Sequence, residues 1–310
     1  MGLNIPLIDK RIAIHFQQAL QEDNSFVFKQ GVLDELAAKT NLPFSMSTSS
    51  ATYIPFNVFA LFLHELRLHL SADSFTSLLL KSAQHIGQEA WFSELSMESF
   101  LRCFSIDELT VHEDKLGLSV SLKTTKLALK HIESELFLIV YVHAYLKARY
   151  PELANPIRYD LVANSAEDLR ELQVQSDTPQ YLGQEQTRIH YSPLDSISLS
   201  PAKSEPMADS DRVSHALSSY IGRMDIDLDK FCDLNGIGKR TVQRALKDEQ
   251  TTFKAIKESL SFEFAKRVLS EQGYAISDVA LHLGYADSSQ FIRSFKRANG
   301  ITPYQWKKLN

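Results

Sequence analysis

Apolar residues recur at helical spacing along most of the chain. Residues 58–70 are apolar nearly all round, with Phe59, Leu61, Phe62, Leu63, Leu66 and Leu68. That pattern predicts a helix buried on every side. A second long helix is predicted over 127–150 and stops before Pro151, because the residue preceding proline disfavours the helical region. Strict alternation marks three short strands: Leu118, Val120 and Leu122; Ile157, Tyr159 and Leu161; Thr187, Ile189 and Tyr191. After residue 210 the alternation ends. Short helical stripes follow, interrupted by Gly236, Gly273, Gly284 and Gly300. Between the two regimes lie Pro193, Pro201 and Pro206 among serines, a composition that blocks regular structure. The expected fold is mainly α: an α+β domain over 1–200, a linker over 201–210 and an all-α domain over 211–310.

Two segments of the all-α part have the layout of a helix-turn-helix. In the first, Leu228, Phe231, Cys232 and Leu234 form a short apolar stripe, and Asn235-Gly236 supplies a turn that tolerates positive φ. The helix expected over 238–247 turns Val242, Ala245 and Leu246 inward. Its outer face carries Lys239, Arg240, Gln243, Arg244 and Lys247. Arginine and glutamine make the bidentate contacts that read guanine and adenine in the major groove. In the second, Ile276, Val279, Ala280 and Leu283 face inward, Gly284 makes the turn and Asp287 is placed to cap the next helix. That helix is expected to bury Phe291, Phe295 and Ala298, and to expose Ser288, Ser289, Gln290, Arg293, Lys296 and Arg297.

The run ISDVALHLGYADSSQFIRSFKR over 276–297, followed by Gly300-Ile301-Thr302-Pro303 and Trp306, resembles the C-terminal signature of the AraC/XylS family of bacterial transcription regulators. The resemblance covers about the last ninety residues. It implies seven helices, two reading units and a long joining helix, placed at 258–270 with Phe264, Ala265, Val268 and Leu269 on its apolar side. It also implies sequence-specific binding to double-stranded DNA, activation of transcription, and RNA polymerase, a small-molecule effector and a second copy of the chain as further partners. Three positions depart from the family pattern. Ser261 stands where arginine is usual, Gly238 replaces a serine cap, and Asn235 sits where an aliphatic residue is usual. The N-terminal region resembles, more weakly, the effector and dimerisation domain of regulators related to ornithine utilisation. Tyr53-Ile54-Pro55, residues 157–161 and the segment from Arg188 to Leu199, ending at Pro201, carry that likeness. A ligand-responsive regulator is the reading it favours. The alternative keeps DNA binding and makes the N-terminal domain a protein-interaction module with no effector.

Charge sharpens this division. The 310 residues have a net charge of −5. Residues 211–310 hold 16 basic and 12 acidic side chains, a net of +4, which leaves −9 on the rest. Such asymmetry suits nucleic-acid work in the C-terminal part. The two cysteines show neither zinc spacing nor a disulfide framework, and no stretch reads as a signal peptide or membrane span, so a cytoplasmic protein off the membrane is expected. Phe44, Tyr53, Phe56, Phe59 and Phe62 are close in sequence and are candidates to line an apolar ligand pocket. No metal site is expected from His64 and His69, whose spacing of five turns them apart on a helix. No cofactor-binding loop and no nucleophile–base motif is visible, so the chain is not expected to be an enzyme.

Overall fold

The computed structural model describes residues 2–22, 31–43, 51–115, 117–124, 131–164, 178–193, 199–223, 225–271 and 274–309. The chain divides into two compact units. One combines Pro6–Ser47 with Pro55–Pro206; the other combines Met207–Asn310 with two short N-terminal segments, Met1–Ile5 and Thr48–Ile54.

The larger unit is α+β. Its elements in chain order are β1 (Leu7–Asp9), α1 (Lys10–Glu22), α2 (Val32–Thr40), β2 (Tyr53–Pro55, which begins in the other unit), α3 (Phe56–Arg67), α4 (Ala72–Gly87), α5 (Ala90–Ser93), α6 (Met97–Cys103), β3 (Ile106–Asp114), β4 (Gly117–Thr124), α7 (Ile132–Arg149), β5 (Arg158–Asp160), β6 (Gln180–Tyr181), β7 (Thr187–Tyr191) and β8 (Ala202–Lys203). A six-stranded sheet has the order β6-β5-β7-β4-β3-β8, antiparallel except for the β5–β6 pair. The three alternating segments of the sequence fall on β4, β5 and β7, where Leu118, Val120, Leu122, Tyr159, Ile189 and Tyr191 are buried. Ile157 instead lies just before its strand and is exposed. Residues 202–203, read as linker, form the edge strand β8 paired with Leu109 and Glu108. A two-residue strand pairs through backbone alone and leaves no periodicity to read.

Helix α7 is the hub of this unit. It is buried from Ile132 to Val142, so the apolar face wraps the whole cylinder. The rings of Phe16, Phe59 and Phe104 pack on Phe137 with centroids 5.9, 5.1 and 6.2 Å away. Tyr145 stacks on Phe100 at 3.9 Å. Each such ring contributes roughly 1.5–3 kcal/mol by leaving water. Glu135 ties the helix to the sheet: its buried carboxylate accepts from the backbone N–H groups of Val162 and Ala163 and from the Thr187 hydroxyl. Burial raises its pKa against the opposing pull of those donors. Helix α3 is shorter than the sequence pattern, and Leu61 and Leu68 face outward.

The smaller unit holds seven helices among its described residues: α8 (Asp209–Ser218), α9 (Leu228–Asn235), α10 (Lys239–Asp248), α11 (Phe253–Glu271), α12 (Ile276–His282), α13 (Ser288–Asn299) and α14 (Pro303–Leu309). Leu3, Ile5, Ala51 and Ile54 are buried in the chain. Within this unit the Leu3 amide donates to Asp209 Oδ1 at 2.6 Å, and the Tyr53 ring meets the His215 ring at 4.9 Å.

The start of α8 is capped from a distance. Glu249, the residue after α10, accepts from the backbone N–H groups of Asp209 (2.8 Å) and Ser210 (2.9 Å). Those groups would otherwise lack partners at the helix start. Hydrogen bonds from the Ser210 side chain, then from the Ser210 and Asp209 backbone, hold the Glu249 carboxyl below its ordinary range. A carboxyl whose folded pKa is depressed contributes stability above its unfolded value of about 4.3, and loses it as pH falls through the folded value. We therefore expect Glu249→Gln to lower the unfolding midpoint at neutral pH, with the gap from the parent protein closing as pH falls below about 4. Thermal denaturation across pH checks this; a gap independent of pH would refute it.

Candidate nucleic-acid interface

Each helix-turn-helix is closed by a glycine in the left-handed region. Gly236 (φ 63°) ends α9 and Gly284 (φ 80°) follows α12. A side chain is strained there, which is why the turn residue is glycine. Phe231 and Cys232 on α9 pack inward, with Val242 and Leu246 on α10. Asn235, at the position where the family pattern is usually aliphatic, is fully buried, and its Nδ2 donates to the Phe231 carbonyl at 2.8 Å. Gly238 is the N-cap of α10, extended and with no side chain to accept a hydrogen bond. In the second unit Asp287 caps α13 as expected, accepting from the Gln290 amide at 2.7 Å. Phe291 and Phe295 are buried, but Ala298, expected inward, is exposed.

Between the two units runs α11. It begins five residues before the joining helix read from sequence and carries its apolar residues on two faces. Phe253 serves the first unit, where it meets Phe231 at 5.2 Å, and Ile256, one turn on, is buried. Phe262, Ala265 and Leu269 serve the second, in one cluster with Val279, Ala280, Phe291 and Phe295. At 100° per residue, Ile256 and Ala265 lie about half a turn apart around the axis. Phe262, Ala265 and Leu269 fall on one stripe at i, i+3 and i+7, so Phe262 takes the core place that the sequence pattern gives to Phe264. Phe264 is only half-buried, stacked on His282 at 5.0 Å. Ser261 is buried, and its hydroxyl donates to the Lys257 carbonyl at 2.8 Å.

This frame exposes the side chains singled out from sequence. On α10, Lys239, Arg240, Gln243, Arg244 and Lys247 are all exposed. Lys239 is held by Asp229 at 2.7 Å, a hydrogen bond that raises its pKa. On α13, Ser289, Gln290, Arg293, Lys296 and Arg297 are exposed and Ser288 is half-buried. Arg293 and Arg297 line a groove with Lys254, Lys257, Glu258 and Tyr285, between the two helix-turn-helix units. Arg297 pairs with Glu258 at 3.4 Å. Lys254 and Lys257 were not singled out from sequence; their spacing of three on the joining helix was the available signal.

Of the aromatic candidates for a ligand pocket, Phe56, Phe59 and Phe62 are in ring contact along α3, at 6.4 Å between neighbours. Phe44 lies outside the described residues, and Tyr53 belongs to the smaller unit. Phe56, Phe59 and Phe62 are buried on α3. Phe59 and Phe62 border a space of about 10 Å³ with Ala13, Phe16 and Leu33, the scale of one water.

A small gain in stability is open at Gly238. A Cβ there would stand 3.4 Å from Thr241 Oγ1, and the backbone is already extended. We expect Gly238→Ser to stabilise the unit by a few tenths of a kcal/mol by capping α10. Chemical denaturation measures it; a loss of stability would show that the serine hydroxyl clashes rather than caps.

A family described as a helix-turn-helix domain matches residues 231–309. The HTH-type transcriptional activator RhaR of Escherichia coli K12 is 30% identical over 118 residues, which is 37% of this chain and 40% of RhaR. RhaR of Shigella flexneri serotype 5b matches to the same extent. The chain thus spans less than half the length of the curated relatives it matches. Among solved structures, a DNA-binding transcriptional dual regulator from Escherichia coli K-12 covers 34% of this chain and 96% of its own, at 20% identity and a TM-score of 0.32. The regulator CdpR of Pseudomonas aeruginosa covers 97% and 98%, at 14% identity and a TM-score of 0.33. The sequence match and the paired helix-turn-helix units together make the C-terminal part of this protein a helix-turn-helix domain of the AraC/XylS type.

Proposed function

We propose that the protein is a cytoplasmic, sequence-specific DNA-binding regulator that activates transcription, with an N-terminal unit that senses a small molecule or pairs two copies. One observation carries the DNA-binding part: two exposed, basic reading helices are held by a single joining helix packed into both of their cores. On this reading α10 and α13 enter successive major grooves about 34 Å apart on one face of the duplex. Activation rests on likeness to RhaR. No helix among the described residues is long and apolar enough to cross a membrane. The chain's relatives here are transcription regulators, which favours a regulator over an enzyme.

Within the interface the roles divide. Arg293 is one turn into α13 on its exposed face, the region that reaches base edges. Lys296 and Arg297 are in the last turns, placed for phosphate. We expect Arg293→Ala to cost about 1–3 kcal/mol on the specific site and to relax preference at one base pair, while Lys296→Ala weakens all sequences alike. Equal losses for Arg293→Ala on specific and random DNA, by fluorescence anisotropy, would assign it to phosphate instead.

The two reading helices also differ in kind. Helix α10 presents Arg240, Gln243 and Arg244, all able to make bidentate base contacts; α13 presents Ser288, Ser289, Gln290 and the single central arginine Arg293. We expect α10 to supply most of the sequence preference and α13 more of the anchoring. Binding-site selection with Arg240→Ala/Arg244→Ala should erase information over one half-site. Selection with Ser289→Ala/Arg293→Ala should lose less information at comparable cost in affinity. The reverse ranking would overturn this division.

A further inference from the structure

Three side chains outside the DNA-binding unit converge at the start of α7. His64, near the end of α3, places Nδ1 3.2 Å from Oε1 of Glu133. The His131 ring, on the N-cap residue of α7, stacks on the His64 ring at 4.3 Å and 22°. One ligand atom from each of the three falls within 4.8 Å of the others. His69, the histidine that the sequence set beside His64, is elsewhere engaged, at 2.9 Å from the Glu65 carbonyl.

We propose that His64, His131 and Glu133 form a binding site for a divalent transition-metal ion of the zinc class. Three observations support it. The first is chemistry: two imidazoles and a carboxylate are a donor set that such ions take, leaving a fourth position for water. The second is spacing. Two ligands of a tetrahedral zinc, each about 2.0–2.1 Å from the ion, stand about 3.3 Å apart. His64 Nδ1 and Glu133 Oε1 already stand 3.2 Å apart, and a ring nitrogen of His131 lies within 4.8 Å of the ligand atoms of both. The third is burial. The Glu133 side chain is 5% exposed, and among the described residues the hydrogen bond its carboxylate accepts comes from His64. A carboxylate offers about four acceptor positions, and burying it is costly unless they are filled.

The ion would staple α3 to the start of α7, joining two helices that already pack together in the core of the larger unit. Its binding free energy would then appear as stability of that unit. The site is independent of the DNA-binding reading, and its loss need not alter the intrinsic reading helices.

The test uses the full-length protein, stripped of metal and titrated with zinc against a chromophoric chelator. We expect one equivalent bound, with an unfolding midpoint that rises with zinc concentration. His64→Ala and His131→Ala should each weaken binding by at least about tenfold. Glu133→Gln, nearly isosteric, is the variant to use if the alanine changes unfold the protein, with folding checked by circular dichroism. A His15→Ala/His85→Ala double variant removes a second, half-exposed group of histidines on α1 and α4 and should leave zinc uptake unchanged. Cobalt in place of zinc should give the absorption of a four- or five-coordinate ion. Absence of stoichiometric uptake overturns the proposal. So does uptake that survives in His64→Ala, His131→Ala and Glu133→Gln, or that is lost in the His15/His85 variant.

Discussion

The constraint on which the C-terminal unit depends is that one helix belongs to two cores. Phe253 of α11 is committed to the first helix-turn-helix, and Phe262, Ala265 and Leu269 to the second. Because these residues lie on opposite sides of one α-helix, the rotation between the two units is set by the helix's own geometry. A hinge between the units would have to break backbone hydrogen bonds or expose one of the two clusters to water. Protein cores pack too densely for such a change to come in small steps. The reading helices therefore have a fixed relation, which the proposed placement in successive grooves requires. The phenyl–phenyl contacts Phe262–Phe295 at 5.6 Å and Phe291–Phe295 at 5.7 Å lock α13 onto that frame.

Charge is arranged around this rigid frame with little cost. The pairs Lys239–Asp229 and Arg297–Glu258 are solvent-exposed, and such pairs contribute about 0–1 kcal/mol at most. They orient basic side chains without holding them firmly, so exchanging an acidic partner for a phosphate would cost little. The buried carboxylates of the larger unit behave differently. Glu135 is enclosed by two backbone amides and a hydroxyl that cross from helix to sheet, so removing the carboxylate would leave buried donors unpaired. Glu133, two residues earlier on the same helix, is equally buried but draws its described hydrogen bond from an imidazole, and that difference marks it as a ligand candidate.

The sequence by itself determined what depends on local spacing. Glycine at 236 and 284 and aspartate at 287 are demanded by turn and cap geometry within a few residues, and the structure has them in those roles. The exposed stripes of α10 and α13 follow from a period of 3.6, so all the basic candidates on them were legible. So were strands β4 and β7, whose buried residues alternate. Other features arise where residues far apart in the chain meet. Which side of α11 faces each helix-turn-helix is not local information: Phe262, Ala265 and Leu269 share one stripe at i, i+3 and i+7, but only the packing shows that the second unit covers it. The distribution of Phe56, Phe59 and Phe62 into a core, with Tyr53 in the other unit, depends on which helices pack on α3. Glu249 caps a helix 40 residues earlier, and His64 meets Glu133 across 69 residues; no local pattern encodes either pairing. Contacts of that range are set by the packing of whole elements, which the spacing of residues along one element does not specify.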